Sequence, residues 1–89
     1  MAAKATLTVQ NERGLHLSSA AEISKLAQRY ASNIMMNKEG RVANAKSVLS
    51  ITALFAPLGT QIDVEADGAD ENEAIEAMRE LFNNKFGEK

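Results

Sequence analysis

The chain has 89 residues, of which 45% are hydrophobic, and this length predicts one small domain spanning residues 1–89. It contains no cysteine, which excludes a disulfide scaffold and a thiolate metal site and is typical of a reducing compartment. A net charge of −2 with one tyrosine and three phenylalanines disfavours nucleic-acid binding, which needs a basic stripe or a stacking platform.

The sequence pattern in the amino-terminal third of the chain predicts a strand followed by a helix. Residues 6–9 alternate apolar and polar side chains with a period of two, which is typical of a half-buried strand, and the turn residues 11–14 end it. Apolar residues then recur at three- and four-residue spacings over 20–31, which predicts an amphipathic helix. The buried stripe of this helix would consist of Ala20, Ile23, Leu26, Ala27 and Tyr30.

The middle of the chain predicts a hairpin and a short helix. Residues 34–37 and 41–43 read as the second and third strands, joined by a tight turn at residues 38–40, where a glycine permits a positive φ. Residues 47–54 are predicted to form a short helix. This helix must end before Pro57, because the residue that precedes a proline disfavours helical geometry.

The last third predicts a strand and a helix. Residues 61–66 alternate cleanly and give the fourth strand. The acidic residues 70–73 suit the positive end of a helix dipole, and a helical apolar stripe follows them. This stripe consists of Ala74, Ile75, Met78, Leu81 and Phe82. Residues 87–89 are predicted to be frayed.

Targeting signals are not evident in the sequence. The first residues pass into an alternating segment rather than an apolar run, so we expect no signal peptide. No stretch approaches the roughly 20 apolar residues that a membrane helix needs, so we expect no membrane insertion. The prediction is a cytoplasmic protein.

His16 is the only histidine and the best candidate for chemistry. It follows Gly14 and precedes two serines that can open a helix. Imidazole side chains ordinarily have a pKa of about 6.5, so a large neutral fraction can act as a nucleophile at pH 7. A phosphoryl group on this ring would lie beside the unpaired N–H groups of the helix start. The spacing alone also fits a partly exposed histidine without a catalytic role.

Two segments resemble the HPr family, the histidine-containing phosphocarriers of the bacterial sugar phosphotransferase system. Gly14-Leu15-His16 followed by Ser19-Ala20-Ala21 resembles the phosphorylation loop, and residues 44–51 resemble the regulatory-serine stretch. The resemblance covers nearly the whole chain. It implies an α+β open-faced β-sandwich, in which three helices cover one face of a four-stranded antiparallel sheet in the order β-α-β-β-α-β-α.

The active-site motif departs from the family pattern. The family places a small residue, an arginine and a proline after the histidine, whereas this chain has Leu17, Ser18 and Ser19. A guanidinium would form charge-assisted bonds worth roughly 1.5–3 kcal/mol each. We predict that Ser18 and Ser19 stabilise phosphate instead, through hydroxyls and backbone N–H groups. The alternative for Ser19 is a capping box with Glu22.

Ser47 and an apolar surface form the second predicted functional region. Ser47 can cap the short helix, and by resemblance it also matches the serine that HPr kinase/phosphorylase modifies in some bacteria. The resemblance implies that Ile51 and Leu54 point inward while neighbouring side chains form a docking face around His16. The predicted partner-binding residues are Leu17, Ala21, Ser24, Val48, Leu49 and Thr52.

The resemblance implies a phosphocarrier rather than a free-standing enzyme. His16 would accept a phosphoryl group on Nδ1 from enzyme I and pass it to an enzyme IIA-type acceptor, without a metal or organic cofactor in this chain. We expect a monomer. The rival hypothesis is an HPr-fold regulatory binding module with weak or no phosphotransfer, controlled at Ser47. Retention of His16 favours the carrier, and loss of the arginine favours the regulator.

Overall fold

The computed structural model describes residues 2–89. These residues form four strands and three helices, and a single 3-10 turn follows the last helix. In chain order the elements are β1 (Ala3–Thr8), α1 (Leu17–Ala27), β2 (Asn33–Lys38), β3 (Arg41–Asn44), α2 (Val48–Thr52), β4 (Gln61–Asp67), α3 (Glu71–Asn83) and the 3-10 turn Lys85–Gly87.

The strands form one antiparallel sheet in the order β1-β4-β2-β3. In β4 the side chains of Ile62, Val64 and Ala66 are buried, and the residues between them are exposed, because successive side chains of a strand point to opposite faces. β1 and β2 lie parallel on either side of β4, and α1 connects them. The predicted four-stranded antiparallel sheet with three helices is confirmed.

The helices bury one face of the sheet. Ile23 of α1 and Met78 and Phe82 of α3 have no exposed surface and pack into the core with the inward side chains of the strands. α2 lies between α1 and β3. The other face of the sheet, which we call the open face, carries polar side chains with Met35 and Val42 among them.

Two predicted helices have different boundaries in the structure. The first helix was expected over 20–31 but spans Leu17–Ala27, because its N-cap is His16 rather than a serine. The chain turns after Gln28, and Tyr30 packs against the core from outside the helix. The second helix is Val48–Thr52, shorter than the predicted 47–54.

The prediction that residues 87–89 are frayed is wrong. The Phe86 side chain is buried, and its ring meets that of Phe82 edge-on at a centroid distance of 4.8 Å. The Lys89 carbonyl accepts a hydrogen bond from the Glu12 N–H at 2.6 Å. Apolar burial and a backbone hydrogen bond therefore fix this segment beside the loop that leads to His16.

None of the helices described within residues 2–89 combines the length and the apolar character that a membrane crossing requires.

Candidate functional site

The loop before His16 is held by close backbone packing. Gly14 has a φ of +70°, and a Cβ at this position would lie 2.5 Å from the Ala56 carbonyl oxygen. Only glycine fits both constraints. The next residue, Leu15, is buried and donates its N–H to the same carbonyl at 2.8 Å. The position of His16 is thus set against the segment that follows α2.

His16 is the N-cap of α1. Its backbone is extended, and its Nδ1 atom accepts a hydrogen bond from the Ser18 N–H at 3.3 Å. A serine or aspartate oxygen usually takes this position at a helix start. Here the imidazole ring of His16 takes it, so Nδ1 already faces an N–H group that the helix itself cannot satisfy.

Ser19 lies inside the first turn rather than at the cap. Its hydroxyl accepts the His16 N–H at 3.0 Å and lies 3.0 Å from the Gly14 carbonyl oxygen, to which it can donate. The predicted capping box with Glu22 is therefore wrong, since the helix starts two residues earlier than Ser19. The Ser19 side chain is fully buried, so its hydroxyl is not accessible to a phosphate in this arrangement. Only the backbone N–H of Ser19 remains a candidate hydrogen-bond donor to phosphate.

Glu88 contacts the other nitrogen of the histidine ring. Its Oε1 lies 2.7 Å from His16 Nε2 and accepts a second hydrogen bond, at 2.8 Å, from the Asn11 side-chain amide. The hydrogen bond from His16 lowers the pKa of Glu88 most, the Asn11 bond and the positive charge of Arg13 lower it further, and desolvation opposes them. Glu88 is therefore ionised at neutral pH.

Sequence reasoning missed Asn11 and Glu88. Asn11 begins a polar turn, and its side-chain amide also donates to the Gly14 carbonyl at 2.7 Å. An asparagine at the start of a turn was the available sequence signal for this role. Glu88 belongs to no periodic pattern. The isolated Phe86 beside it was the only sign that this polar segment packs against the domain.

The residues predicted on α1 differ in their accessibility. Leu17 is 68% exposed, and Ser18 and Ala21 are also exposed. Ser24 is buried, donates its hydroxyl to the Lys46 carbonyl at 2.9 Å and accepts from the Gln28 side-chain amide. The prediction of Ser24 as a docking residue is therefore wrong, because its hydroxyl joins α1 to the start of α2.

The residues predicted on α2 follow the expected division. Leu49 is 81% exposed, Val48 and Thr52 are half-buried, and Ile51 is fully buried. Ser47 is half-buried and caps the helix, since its hydroxyl oxygen accepts the Ser50 N–H at 3.2 Å. α2 packs beside α1, so two neighbouring helices carry exposed apolar side chains.

Comparison with known proteins agrees with this geometry. A family model described as "PTS HPr component phosphorylation site" matches residues 3–84. The chain belongs to the HPr family. The family's function as a histidine phosphocarrier of the phosphotransferase system is thus the function of this chain at the level of the family.

Individual members of the family are similar over nearly their whole length. The phosphocarrier protein HPr of Xylella fastidiosa (strain Temecula1) is 42% identical over 82 residues, which cover 92% of each chain. The phosphocarrier protein NPr of Klebsiella oxytoca is 38% identical over 99% of each chain. A crystal structure of HPr-C-His from Thermoanaerobacter tengcongensis superposes with a TM-score of 0.93 at 36% identity, covering 98% of each chain.

Proposed function

We propose that His16 accepts a phosphoryl group from phosphoenolpyruvate-charged enzyme I and donates it to an enzyme IIA-type domain. The observation that carries this proposal is the position of Nδ1 at the start of α1, 3.3 Å from the Ser18 backbone nitrogen. No acidic side chain that would repel an anion lies in the described first turn of α1.

In the proposed transfer, the covalent bond to phosphorus forms on the imidazole alone. The Nδ1 lone pair forms a bond to phosphorus while the bond between phosphorus and the donor group breaks, and that electron pair leaves with the donor. The proton on Nε2 stays on the ring. The Ser18 N–H, released from Nδ1, and the neighbouring first-turn amides then face the transferred phosphoryl oxygens. Ser18 and the Ser19 backbone N–H are thus the proposed phosphate-stabilising groups.

The docking surface proposed for both partners joins α1 and α2. Leu17, Ala21 and Leu49 are exposed, and Val48 and Thr52 are half-buried beside them. An exposed apolar patch next to the reactive ring allows a partner to exclude water from the transferring group. The monomer is the proposed form in these complexes.

The rival function, a regulatory binding module, is favoured by one observation. Ser18 occupies the place of the family's arginine. Within residues 2–89, no arginine guanidinium forms a hydrogen bond to His16. In this alternative HPr kinase/phosphorylase would modify Ser47. The phosphate would add about −1.5 to −2 charges at the start of α2 and would change docking.

The test is phosphorylation by enzyme I from the source organism. We expect acid-labile phosphate on the wild-type protein in the presence of phosphoenolpyruvate, and none on His16→Ala. Lys4→Ala, on the open face of the sheet, is the matched control and should be phosphorylated at the wild-type rate. If His16→Ala were labelled at the original rate, the carrier assignment to His16 would be wrong. A wild-type protein that accepts no phosphate would favour the regulator.

A further inference from the structure

The contact between Glu88 and His16 has the geometry of a strong, directional hydrogen bond. The distance from Oε1 to Nε2 is 2.7 Å, and the two side chains are only 24% and 19% exposed. The Asn11 amide donates to the same carboxylate oxygen at 2.8 Å. The carboxylate is therefore held from two sides in a partly dry site, where charge-assisted bonds are strongest.

This contact sets which ring nitrogen carries the proton. An ionised carboxylate can only accept hydrogen bonds, so Nε2 must be the donor. The neutral ring then has its lone pair on Nδ1, which agrees with the Ser18 N–H directed at that atom. The two hydrogen bonds thus favour the same tautomer, the one in which Nδ1 is a nucleophile.

Glu88 belongs to a carboxy-terminal segment that is itself fixed to the rest of the fold. Lys85 and Phe86 both have positive φ values, of 55° and 57°, and this tight turn directs the chain back towards α1. The buried Phe86 ring and the Lys89 carbonyl, bound to the Glu12 N–H, fix the turn on either side of Glu88. Such anchoring reduces the entropy lost when the carboxylate meets the ring.

We propose that Glu88 is a positioning residue that holds the Nε2–H of His16 and so presents Nδ1 unprotonated for phosphoryl transfer. As the N–P bond forms, the ring gains positive charge, and the carboxylate stabilises that charge through Nε2–H. Glu88 forms no bond to phosphorus and keeps no proton. In enzymes, a carboxylate that orients a catalytic histidine acts in the same way. This inference rests on the proposed function of His16.

The test compares Glu88→Ala and Glu88→Gln with the wild type. Nitrogen-15 NMR of the neutral ring measures the tautomer, and phosphorylation by enzyme I measures the acceptance rate. We expect an almost pure Nε2–H tautomer in the wild type and a measurable Nδ1–H fraction in Glu88→Ala. The acceptance rate of Glu88→Ala should fall by about tenfold, the lower end for loss of a charge-assisted bond.

Glu88→Gln retains an acceptor oxygen but no charge. It should therefore keep the wild-type tautomer and show an acceptance rate between those of the other two proteins. Glu80→Gln, an exposed side chain on α3, removes the same charge without touching the ring and should behave as the wild type in both measurements. Melting temperatures of all variants confirm that they are folded.

An unchanged tautomer and rate in folded Glu88→Ala would overturn the proposal. If the wild-type protein accepted no phosphate, the proposed function would fail. The tautomer measurement, which needs no phosphate, would then by itself support or overturn the effect of Glu88 on the ring. The two failures are therefore distinguishable.

Discussion

At the scale of single residues, one imidazole has two structural partners. Nδ1 of His16 caps α1, and Nε2 binds a carboxylate from the far end of the chain. Phosphorylation of Nδ1 must replace the cap hydrogen bond with contacts to phosphate, so the start of α1 acts in both states of the ring. In the proposed function, the ring would thus combine the structural role of a cap with the chemical role of a nucleophile.

The absence of the family's arginine leads to the first prediction. Ser18→Arg should raise the rate of phosphoryl acceptance from enzyme I by about tenfold or more, because it adds a charge-assisted donor beside Nδ1. Ser18 is exposed, so the longer side chain displaces no core residue. Gln61→Arg adds the same charge on the open face and should leave the rate unchanged. A Ser18→Arg protein that is folded but no faster would show that its partners are adapted to serine.

Local sequence patterns identified His16 as a candidate site residue but gave no information on its environment. A single histidine after a glycine turn was visible in the sequence, whereas its carboxylate partner lies 72 positions away. Periodicity reports which face of an element is apolar, and it contains no information on which distant loop packs against a helix start. Ser19 was misplaced for a related reason, since serine is typical of both the cap and the first turn.

At the scale of elements, α2 separates an inward side from an outward side within five residues. Ile51 is fully buried, and Leu49, two positions earlier, is 81% exposed. The family resemblance implied this division, with Ile51 pointing inward. The five-residue length means that most of the stability of α2 comes from its packing against α1 and β3, because isolated helices this short are unstable.

The second prediction concerns Leu49. Leu49→Asp should leave the melting temperature almost unchanged and weaken enzyme I binding, because the side chain loses only contacts with a partner. Ile51→Asp is the matched comparison and should unfold the domain, since an unpaired carboxylate in the core costs several kcal/mol of a typical ~5–15 kcal/mol stability. Calorimetry and binding should be measured on both variants. A large drop in melting temperature for Leu49→Asp would remove Leu49 from the docking surface.

At the scale of the whole molecule, Asp70 connects two sequence-distant segments through hydrogen bonds. Its carboxylate accepts hydrogen bonds from the Ser32 hydroxyl at 2.6 Å and from the Ala31 N–H at 2.9 Å. The loop after α1 is thus fixed to the start of α3. Gly68 permits this approach, since a Cβ there would lie 2.7 Å from the Ser32 Cα. The Ser32 hydroxyl first, and then the Ala31 amide, lower the pKa of Asp70 from its usual value.

The third prediction follows from the sign of this shift. Asp70 binds a proton less readily in the folded protein than in the unfolded chain. Its contribution to folding stability is therefore present above the unfolded pKa of 3.8 and disappears as pH falls through the lower folded pKa. Asp70→Asn should therefore destabilise the protein at about pH 7 and less so at a pH well below 3.8. Urea unfolding at the two pH values measures this difference. Asp67→Asn, an exposed neighbour, is the control, and an equal loss for Asp70→Asn at both pH values would contradict the prediction.

The overall topology could be predicted only in part from local patterns. Alternation over 61–66 and the apolar stripe of α3 identified these two elements correctly, because each buries one side of a regular structure. The strand order β1-β4-β2-β3 places sequence-distant strands together, and the periodicity of single elements contains no information on it. The helix ends depended on particular hydrogen bonds, such as that from Ser18 to His16.

The distance along the chain between His16 and Glu88 has a consequence for biosynthesis. A ribosome makes proteins from the amino terminus, so the imidazole leaves the exit tunnel long before residue 88 has been added. Until the turn containing Phe86 docks, the ring exists without its carboxylate. The surroundings of the ring are therefore completed by a segment that is translated after the described strands and helices.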